Sequence, residues 1–311
     1  MMKDRVDILL SVYNPNIEYL KKQLQSLNEQ TYDNLKLYIF DDCIENRCDV
    51  DIFKKYITNF EYEILPYENK NHGYIKAFEK LIQYSNGDYI AFCDQDDIWM
   101  SNKIERCVEV LKQDGSLAVA SERQIIDEND NIVWEKVRDH SHKNYDSWHS
   151  FDDIAKYNLF ITFAVGMSIV ACGDFARSTL PISPYTAHDK WILSCAATEG
   201  TVSFIEEPLV QYRRHGKNVS GILKGINTKK DYIEQRLEPQ IKAVAAFKEK
   251  YPHHKDIKEM ELFANAGKNG NIITLFKYRK LAPDVAKFNI VFTIVPNFLF
   301  KYMLKVARKY G

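Results

Sequence analysis

The sequence lacks the features that define several large protein classes. No run of about 18 apolar residues occurs in the 311 residues, so no segment is predicted to cross a bilayer. Neither a Walker A pattern nor a GxGxxG pattern is present. Because the chain lacks these phosphate-binding loops, it is not expected to be a kinase, a P-loop ATPase or a dinucleotide-dependent dehydrogenase. The six cysteines form no CxxC pair and no signal peptide precedes them, which favours a reducing cytoplasm as the location.

The charge is balanced over the whole chain but uneven along it. The 42 basic and 43 acidic side chains give a formal net charge of -1, which does not support a nucleic-acid-binding surface. With 45% hydrophobic residues, the composition also excludes disordered, collagen-like and coiled-coil chains. From Lys268 to Gly311, nine basic residues stand against the single acid Asp284, so this segment is expected to meet a different partner from the rest.

The first hundred residues alternate short apolar runs with stretches of helical spacing, which predicts an α/β fold. Strands are expected at Val6–Val12, 35–40, 62–65 and Tyr89–Cys93. This alternation is typical of a mostly parallel central sheet flanked by helices. Residues 116–211 are less regular, and the chain from about residue 222 is predicted to be helical and charged. We therefore expect a catalytic domain at 1–220, a helical, basic C-terminal region at 221–311, and a boundary near Ser220.

Polar side chains follow three of the predicted strands. Ser11 and Tyr13 end the first strand, Asp41 and Asp42 end the second, and residues 94–97 follow the apolar strand Tyr89–Cys93. In open α/β sheets, ligands bind beyond the carboxyl ends of the strands. The functional site is therefore expected at this edge of the sheet.

Residues 94–97 are the sharpest chemical feature of the sequence. Three carboxylates within four residues, Asp94, Asp96 and Asp97, repel one another unless a cation shares their charge, and hard oxygen ligands favour Mg²⁺ or Mn²⁺. An ion held by only two or three carboxylates completes its shell with water and substrate phosphates, so a diphosphate ligand is implied. The alternative is a solvated acidic turn.

Five pieces together resemble inverting glycosyltransferases of family 2, which have the Rossmann-like GT-A fold and bind a nucleotide-diphospho-sugar. The resemblance covers residues 5 to about 215, with the pieces in the family's order, and it rests on 8–14, Asp41-Asp42, 71–73, 94–97 and His188-Asp189. It implies a nucleotide-sugar half at about 1–100 and an acceptor half at about 101–220.

A narrower resemblance concerns the donor sugar. Residues 71–79, 94–99 and 212–216 are similar to bacterial rhamnosyltransferase-like enzymes that build cell-surface polysaccharides. This implies dTDP-L-rhamnose as donor and a growing, lipid-linked glycan as acceptor. Two alternatives stay open: a UDP-hexose donor on the same fold, and a catalytically inactive partner that binds glycan or nucleotide.

The resemblance also implies roles on the donor side. Ser11, Tyr13, Asp41 or Asp42, and Asn71 would contact the nucleotide-sugar, with Lys76 near its phosphates. Asp94 would serve the ribose and the metal, Asp96 and His215 the metal, and Arg213 or Arg214 the diphosphate. For Asp41 and Asp42 an ordinary strand-terminating turn is the alternative. For Tyr13 it is simple packing, and for Lys76 a solvated helix face.

On the acceptor side, the reaction needs a carboxylate that takes the proton of the attacking hydroxyl. Family position assigns this role to Asp189, with Asp174 and Glu199 as weaker substitutes and a helix-start aspartate as the alternative explanation. The acceptor sugar would contact Trp99, Gly166, Met167, His188 and Trp191.

The C-terminal segment combines an apolar run with basic residues. Residues 288–300 are apolar but interrupted by Pro296, and Lys301, Lys305, Arg308 and Lys309 follow. Such a segment fits an interfacial element on an anionic inner leaflet, which would make the protein a peripheral membrane protein. The alternative is a helical hairpin packed on protein.

Overall fold

The computed structural model describes residues 3–140, 148–216 and 223–310. It divides into two compact units. The first comprises Met1–Asp153, Phe163–Ile182 and Ala187–His215, and the second Ile154–Thr162, Ser183–Thr186 and Gly216–Gly311. The predicted domain boundary near Ser220 lies outside the described residues. Within the described ranges, no helix has the length and apolarity needed to traverse a bilayer.

The N-terminal half of the first unit is a parallel sheet. Its strands are β1 (Val6–Val12), β2 (Leu35–Asp41), β3 (Glu61–Ile64) and β4 (Tyr89–Cys93), in the spatial order β3-β2-β1-β4. Helices α1 (Ile17–Asn28), α2 (Asp51–Tyr56) and α3 (Tyr74–Tyr84) connect them. β1 is buried along most of its length because neighbouring strands and helices cover it, as expected for a central parallel strand.

Local signals fix where two of these helices begin. Asn16 caps α1, since its side-chain oxygen accepts a hydrogen bond from the backbone N–H of Glu18 at 3.0 Å. Gly73 precedes α3 with φ +78°, a conformation that glycine adopts readily. Because β1 pairs in parallel with both β2 and β4, the carboxyl ends of these three strands lie at one edge of the sheet.

The second half of the sheet pairs in both directions. Its strands are β5 (Ile98–Trp99), β6 (Ala118–Ile126), β7 (Ile132–Trp134), β8 (Ile169–Cys172) and β9 (Val202–Arg213). The order continues from β4 as β8-β6-β9-β5, and β7 pairs with β6. Only β6 and β9 are parallel in this half of the described sheet, and the other pairs are antiparallel. Its helices are α4 (Lys103–Asp114), α5 (Val137–His140), α7 (Gly173–Ser178) and α8 (His188–Glu199).

Helices make up the second unit. They are α6 (Ala155–Asn158), α9 (Lys229–Tyr232), α10 (Glu238–Lys250), α11 (Ile257–Asn269), α12 (Ile272–Lys277), α13 (Pro283–Ile294) and α14 (Asn297–Tyr310). A π-helical segment at Ile233–Leu237 joins α9 to α10. One buried cluster includes Tyr232, Phe292, Phe300 and Leu304. The predicted fold class, an α/β sheet flanked by helices with a helical C-terminal region, is confirmed.

Candidate active site

The acidic loop 94–97 connects β4 to β5 at the carboxyl edge of the sheet. Burial, together with the negative charges of Asp96 and Asp189, raises the pKa of Asp94 to about 7. Asp189 lies at the start of α8, far from residue 94 in sequence. The fold therefore brings the predicted donor-side carboxylates and the predicted base within electrostatic reach of one another.

Asp96 is held by residues from the end of β9 and beyond. Its Oδ2 lies 2.7 Å from Nε2 of His215, so two predicted metal ligands meet directly. The backbone carbonyl of Asp96 accepts a hydrogen bond from Nε of Arg213 at 2.9 Å. The ring of Tyr19 lies 5.5 Å from the His215 ring and under the Arg213 guanidinium. Asp96 thus has a defined position before any ligand arrives.

Arg213 has a structural role in this arrangement. Its side chain is fully buried and forms an ion pair with Asp130, while Nη1 donates to the carbonyl of Asp127 at 3.1 Å. Arg214 is exposed, and its guanidinium lies over the Trp134 ring at 4.4 Å. Arg213 therefore orders the acidic loop, and contact of either arginine with a phosphate stays a prediction.

A buried lysine lies close to the acidic loop. Lys103 has no exposed surface, and its Nζ is 3.0 Å from the centroid of the Trp99 ring. Burial lowers the pKa of Lys103 to about 7, although the charges of Asp97 and Asp94 oppose the shift. Sequence reasoning missed this residue, but its four-residue spacing to Cys107 and then to Leu111 places it on the buried face of α4.

Gln95 is a second residue that sequence reasoning missed. Its side-chain oxygen accepts a hydrogen bond from the backbone N–H of Tyr13 at 2.8 Å, and its amide nitrogen donates to the carbonyl of Tyr13 at 3.1 Å. The loop after β1 is thereby tied to the acidic loop. The signal in the sequence was a neutral amide within a run of carboxylates. The ring of Tyr13 itself is 47% exposed and accessible to a ligand.

Asp41 and Asp42 are committed to the backbone of neighbouring loops. Asp41 accepts hydrogen bonds from the N–H groups of Cys43 and Cys48 at 2.9 and 2.7 Å. Asp42 accepts from the N–H groups of His72 and Gly73. Both carboxylates are buried. Both residues therefore make the hydrogen bonds expected of a strand-terminating turn, and their contact with the nucleotide-sugar stays a prediction.

Three further donor-side predictions can be placed. Asn71 accepts a hydrogen bond from the N–H of Gly73 through its side-chain oxygen, and Ser11 is half-buried near the end of β1. Lys76 forms an ion pair with Glu79 at 2.6 Å, on the surface of α3. Its contact with donor phosphates would therefore require the lysine to leave this partner.

Asp189 and His188 begin α8. One oxygen of the Asp189 carboxylate accepts a hydrogen bond from the N–H of Lys190 at 2.6 Å. The His188 ring stacks on Phe78, with 3.9 Å between centroids, and burial lowers its pKa to about 4. Gly166 faces this ring so closely that a Cβ there would lie 2.5 Å from Nε2 of His188. A neutral, tightly packed imidazole thus adjoins the predicted base.

Most of the predicted acceptor contacts are core residues in this structure. Trp99, Met167, His188 and Trp191 are each at most 4% exposed. The indole N–H of Trp191 donates to the carbonyl of Thr179 at 2.9 Å. The apolar side chains that were expected to contact the acceptor sugar pack in the core of the first unit. These four side chains and the buried Gly166 therefore shape the site from within, and their direct contact with an acceptor sugar stays a prediction.

The side-chain oxygens and nitrogens of Asp94, Asp96 and His215 suit a divalent ion, but the three side chains do not form a complete metal site. Among the described residues, no three His, Cys, Asp or Glu side chains converge as a complete metal site. The side chains of Asp96 and His215 are in contact, and the charge of Asp96 raises the pKa of Asp94. Mg²⁺ commonly binds through one or two carboxylates plus water and substrate phosphates. The residues present therefore fit an ion that completes its shell with ligand oxygens.

Comparison with known proteins is consistent with this geometry. The sequence model of the family described as "Glycosyl transferase family 2" matches residues 7–170. An uncharacterized glycosyltransferase of Nostoc sp. is 27% identical over 222 residues, which cover 69% of this chain and 66% of that protein. The dTDP-rhamnosyl transferase RfbG of Shigella flexneri is 33% identical over 107 residues, 33% of this chain and 36% of that protein. The chain thus spans less than two thirds of the length of either relative.

Solved structures show the same fold at low identity. TarS 1-349 of S. aureus has a TM-score of 0.59 and 12% identity, covering 98% of this chain and 87% of that chain. The mannosyltransferase PcManGT of Pyrobaculum calidifontis, in complex with GDP-Man and Mn²⁺, has a TM-score of 0.57 and 15% identity, covering 98% and 80%. These likenesses confirm the expected GT-A architecture.

Proposed function

Because the chain belongs to glycosyl transferase family 2, we propose that it transfers a sugar from a nucleotide-diphospho-sugar to a hydroxyl of a cell-surface glycan, with inversion. One observation carries this proposal. Asp94 and Asp96 lie in the loop after β4, whereas Asp189 lies far along the sequence at the start of α8, and the charges of Asp96 and Asp189 both raise the pKa of Asp94. Such a set can serve the two ends of a displacement, the leaving diphosphate and the attacking hydroxyl.

In the proposed reaction, the acceptor oxygen attacks the anomeric carbon while the bond from that carbon to the diphosphate oxygen breaks. Asp189 accepts the proton of the acceptor hydroxyl as the new glycosidic bond forms. Asp94, Asp96 and His215 would hold a divalent ion, Mn²⁺ or Mg²⁺, at the diphosphate end of the donor. That ion would supply charge that neutralises the leaving group. Attack from the face opposite the diphosphate inverts the anomeric centre.

The surrounding residues keep these groups in place. Arg213 fixes the carbonyl of Asp96, and its own backbone N–H donates to Oδ1 of Asp97 at 3.0 Å. Gln95 holds the loop that carries Tyr13, a residue exposed enough to contact a nucleotide. A site whose polar groups are oriented in advance loses less free energy to reorganisation when the transition state forms.

The donor proposed is dTDP-L-rhamnose, supported by the similarity to a protein named as a dTDP-rhamnosyl transferase. The alternative is a UDP-hexose, supported by a 27% identical relative from Escherichia coli named as a UDP-Glc-dependent glucosyltransferase acting on a diphosphoundecaprenol-linked sugar. Its name also supports a lipid-linked glycan as acceptor. Since the preferred donor stabilises the folded state more, a thermal-shift comparison of dTDP- and UDP-linked sugars with Mn²⁺ separates the two donors.

Two substitutions test the catalytic assignment. Asp189→Asn keeps the side-chain shape but removes the base, so we expect transfer to fall by about 10²- to 10⁴-fold while donor binding persists. Asp96→Asn should abolish transfer and weaken the donor-induced thermal shift. Asp174→Asn is the matched control, because the side chain of Asp174 is fully exposed and bonded to Arg177. Release of nucleotide diphosphate, measured with and without acceptor, reports the reaction.

The results discriminate between enzyme and inactive binding partner. Donor binding without release or transfer across a broad acceptor screen would favour the inactive partner. Substantial turnover by Asp189→Asn, or a loss of turnover in Asp174→Asn alone, would contradict the role given to Asp189. Circular dichroism of each variant checks that the fold is unchanged.

A further inference from the structure

Helix α14 in the second unit has two apolar faces. Phe300 and Leu304 are 1% and 2% exposed and belong to the buried cluster with Phe292. On the other side of the helix, Phe298 and Tyr302 are 79% and 70% exposed. Successive four-residue steps keep side chains on one side of a helix. Packing within the unit therefore accounts for one apolar face and leaves the other in solvent.

The row of exposed apolar side chains continues along α14, and another exposed apolar side chain precedes the helix. Ile294, at the end of α13, is 67% exposed, and Pro296 lies in the short turn that leads to Phe298. Val306 continues the four-residue spacing from Tyr302 and is 41% exposed. Single exposed apolar side chains are ordinary, but a row of them indicates an interaction surface.

Two lysines border this row. Lys301 and Lys305 are exposed, and among the described residues no carboxylate forms an ion pair with either. The sequence from 285 to 311 contains no aspartate or glutamate. Arg308 differs from these lysines, because its guanidinium donates to the carbonyls of Leu223, at 2.9 Å, and Ile226. The free cationic charge is thus concentrated beside the apolar row.

We propose that this surface docks on an anionic lipid bilayer. The α14 face is defined by Phe298, Lys301, Tyr302, Lys305 and Val306. Apolar side chains of an interfacial helix enter the headgroup region while adjacent lysines bind anionic headgroups. A second copy of the chain is a poorer occupant, since a two-fold contact through this face would bring its own lysines together. The proposal is separate from the transfer reaction, because docking needs neither donor nor acceptor.

Vesicle co-sedimentation of the full chain tests the proposal. We expect binding to vesicles containing phosphatidylglycerol and much weaker binding to pure phosphatidylcholine. The double variant Lys301→Gln/Lys305→Gln should lose about 30-fold in affinity for the anionic vesicles, and Phe298→Ser/Tyr302→Ser at least about tenfold. Raised salt should weaken binding of the wild type but change the lysine variant less.

Matched controls come from the first unit. Lys54→Gln/Lys55→Gln removes the same charge from exposed positions of α2, and Ile132→Ser/Val133→Ser removes exposed apolar side chains from β7. Both should bind vesicles as the wild type does. Equal binding to the two lipid compositions, or equal losses in control and test variants, would overturn the proposal. So would a dimer in light scattering that Phe298→Ser/Tyr302→Ser dissociates, in the absence of vesicle binding.

Discussion

Gly166 and His188 provide a direct test of how the start of α8 is positioned. In Gly166→Ala, the new methyl group would lie 2.5 Å from Nε2 of His188, well inside an ordinary carbon–nitrogen contact. The ring has little room to retreat, because it stacks on Phe78 and lies 5.3 Å from the Phe92 ring, between centroids. The backbone of Gly166 does not require glycine, since its φ is not in the left-handed region. The effect of the substitution is therefore one of contact alone.

The expected magnitude follows from two opposing effects. Overpacking of a buried site costs about 1–3 kcal/mol, whereas replacing glycine by alanine stabilises by about 0.4–1 kcal/mol through the unfolded chain. We expect Gly166→Ala to lower the free energy of unfolding by about 1–2 kcal/mol. Because the displaced ring is adjacent to Asp189, transfer by the folded variant should also fall.

A double-mutant cycle isolates the contact. His188→Ala removes the ring, so Gly166→Ala should add almost no further loss of stability in that background. Urea unfolding of the four proteins gives the coupling free energy, and steady-state transfer at a temperature where all are folded gives the functional part. Additive losses within about 0.5 kcal/mol would refute the reasoning, because they would show that the methyl group and the ring do not meet.

Two further predictions concern buried ionisable groups. Lys103→Met should raise the free energy of unfolding at neutral pH by about 1–3 kcal/mol, because an amine buried without a hydrogen-bond partner is replaced by an apolar side chain of similar length; urea unfolding checks this, with Lys112→Met on the exposed side of α4 as control. Transfer should fall in the same variant, since the acidic loop loses a neighbouring positive charge. For His188, the pKa falls from 6.5 in the unfolded chain to about 4 in the folded protein, so the unfolded state binds more protons between these values. Its contribution to stability should therefore be complete above about pH 6.5 and decline as the pH falls to about 4. Unfolding measured over this range should give a shallower slope for His188→Gln than for the wild type, and equal slopes would contradict a buried, neutral imidazole.

The sequence predicted the N-terminal half of the sheet closely. Apolar runs at Val6–Val12 and Tyr89–Cys93 coincide with β1 and β4, because a strand covered on both sides is apolar along its length. The second half was harder, since strand periodicity does not identify the partner of a strand. β8, distant in sequence, pairs between β4 and β6, and a 3₁₀ turn at Gly166–Ser168 directly precedes it.

The same contrast holds for the candidate site. The position of Asp94 and Asp96 at the carboxyl edge of the sheet could be expected from the apolar strand that precedes them. The depth of a long side chain could not, because it depends on which elements later cover it. Arg213, at the end of β9, is enclosed by loop residues Asp127 and Asp130, and Trp191 points its indole into the core. The residue types of Arg213 and Trp191 suggested contact with a ligand, whereas in the structure both side chains pack within the protein.

The double hydrogen bond between Gln95 and Tyr13 has a mechanical consequence. The carboxamide imitates a peptide group, so it extends the ladder between β1 and β4 past the last paired residues, Leu10 and Cys93. Two loops that would otherwise fluctuate separately are coupled by a side chain. A displacement of Tyr13 would therefore be passed through these two hydrogen bonds to the carboxylates on either side of Gln95.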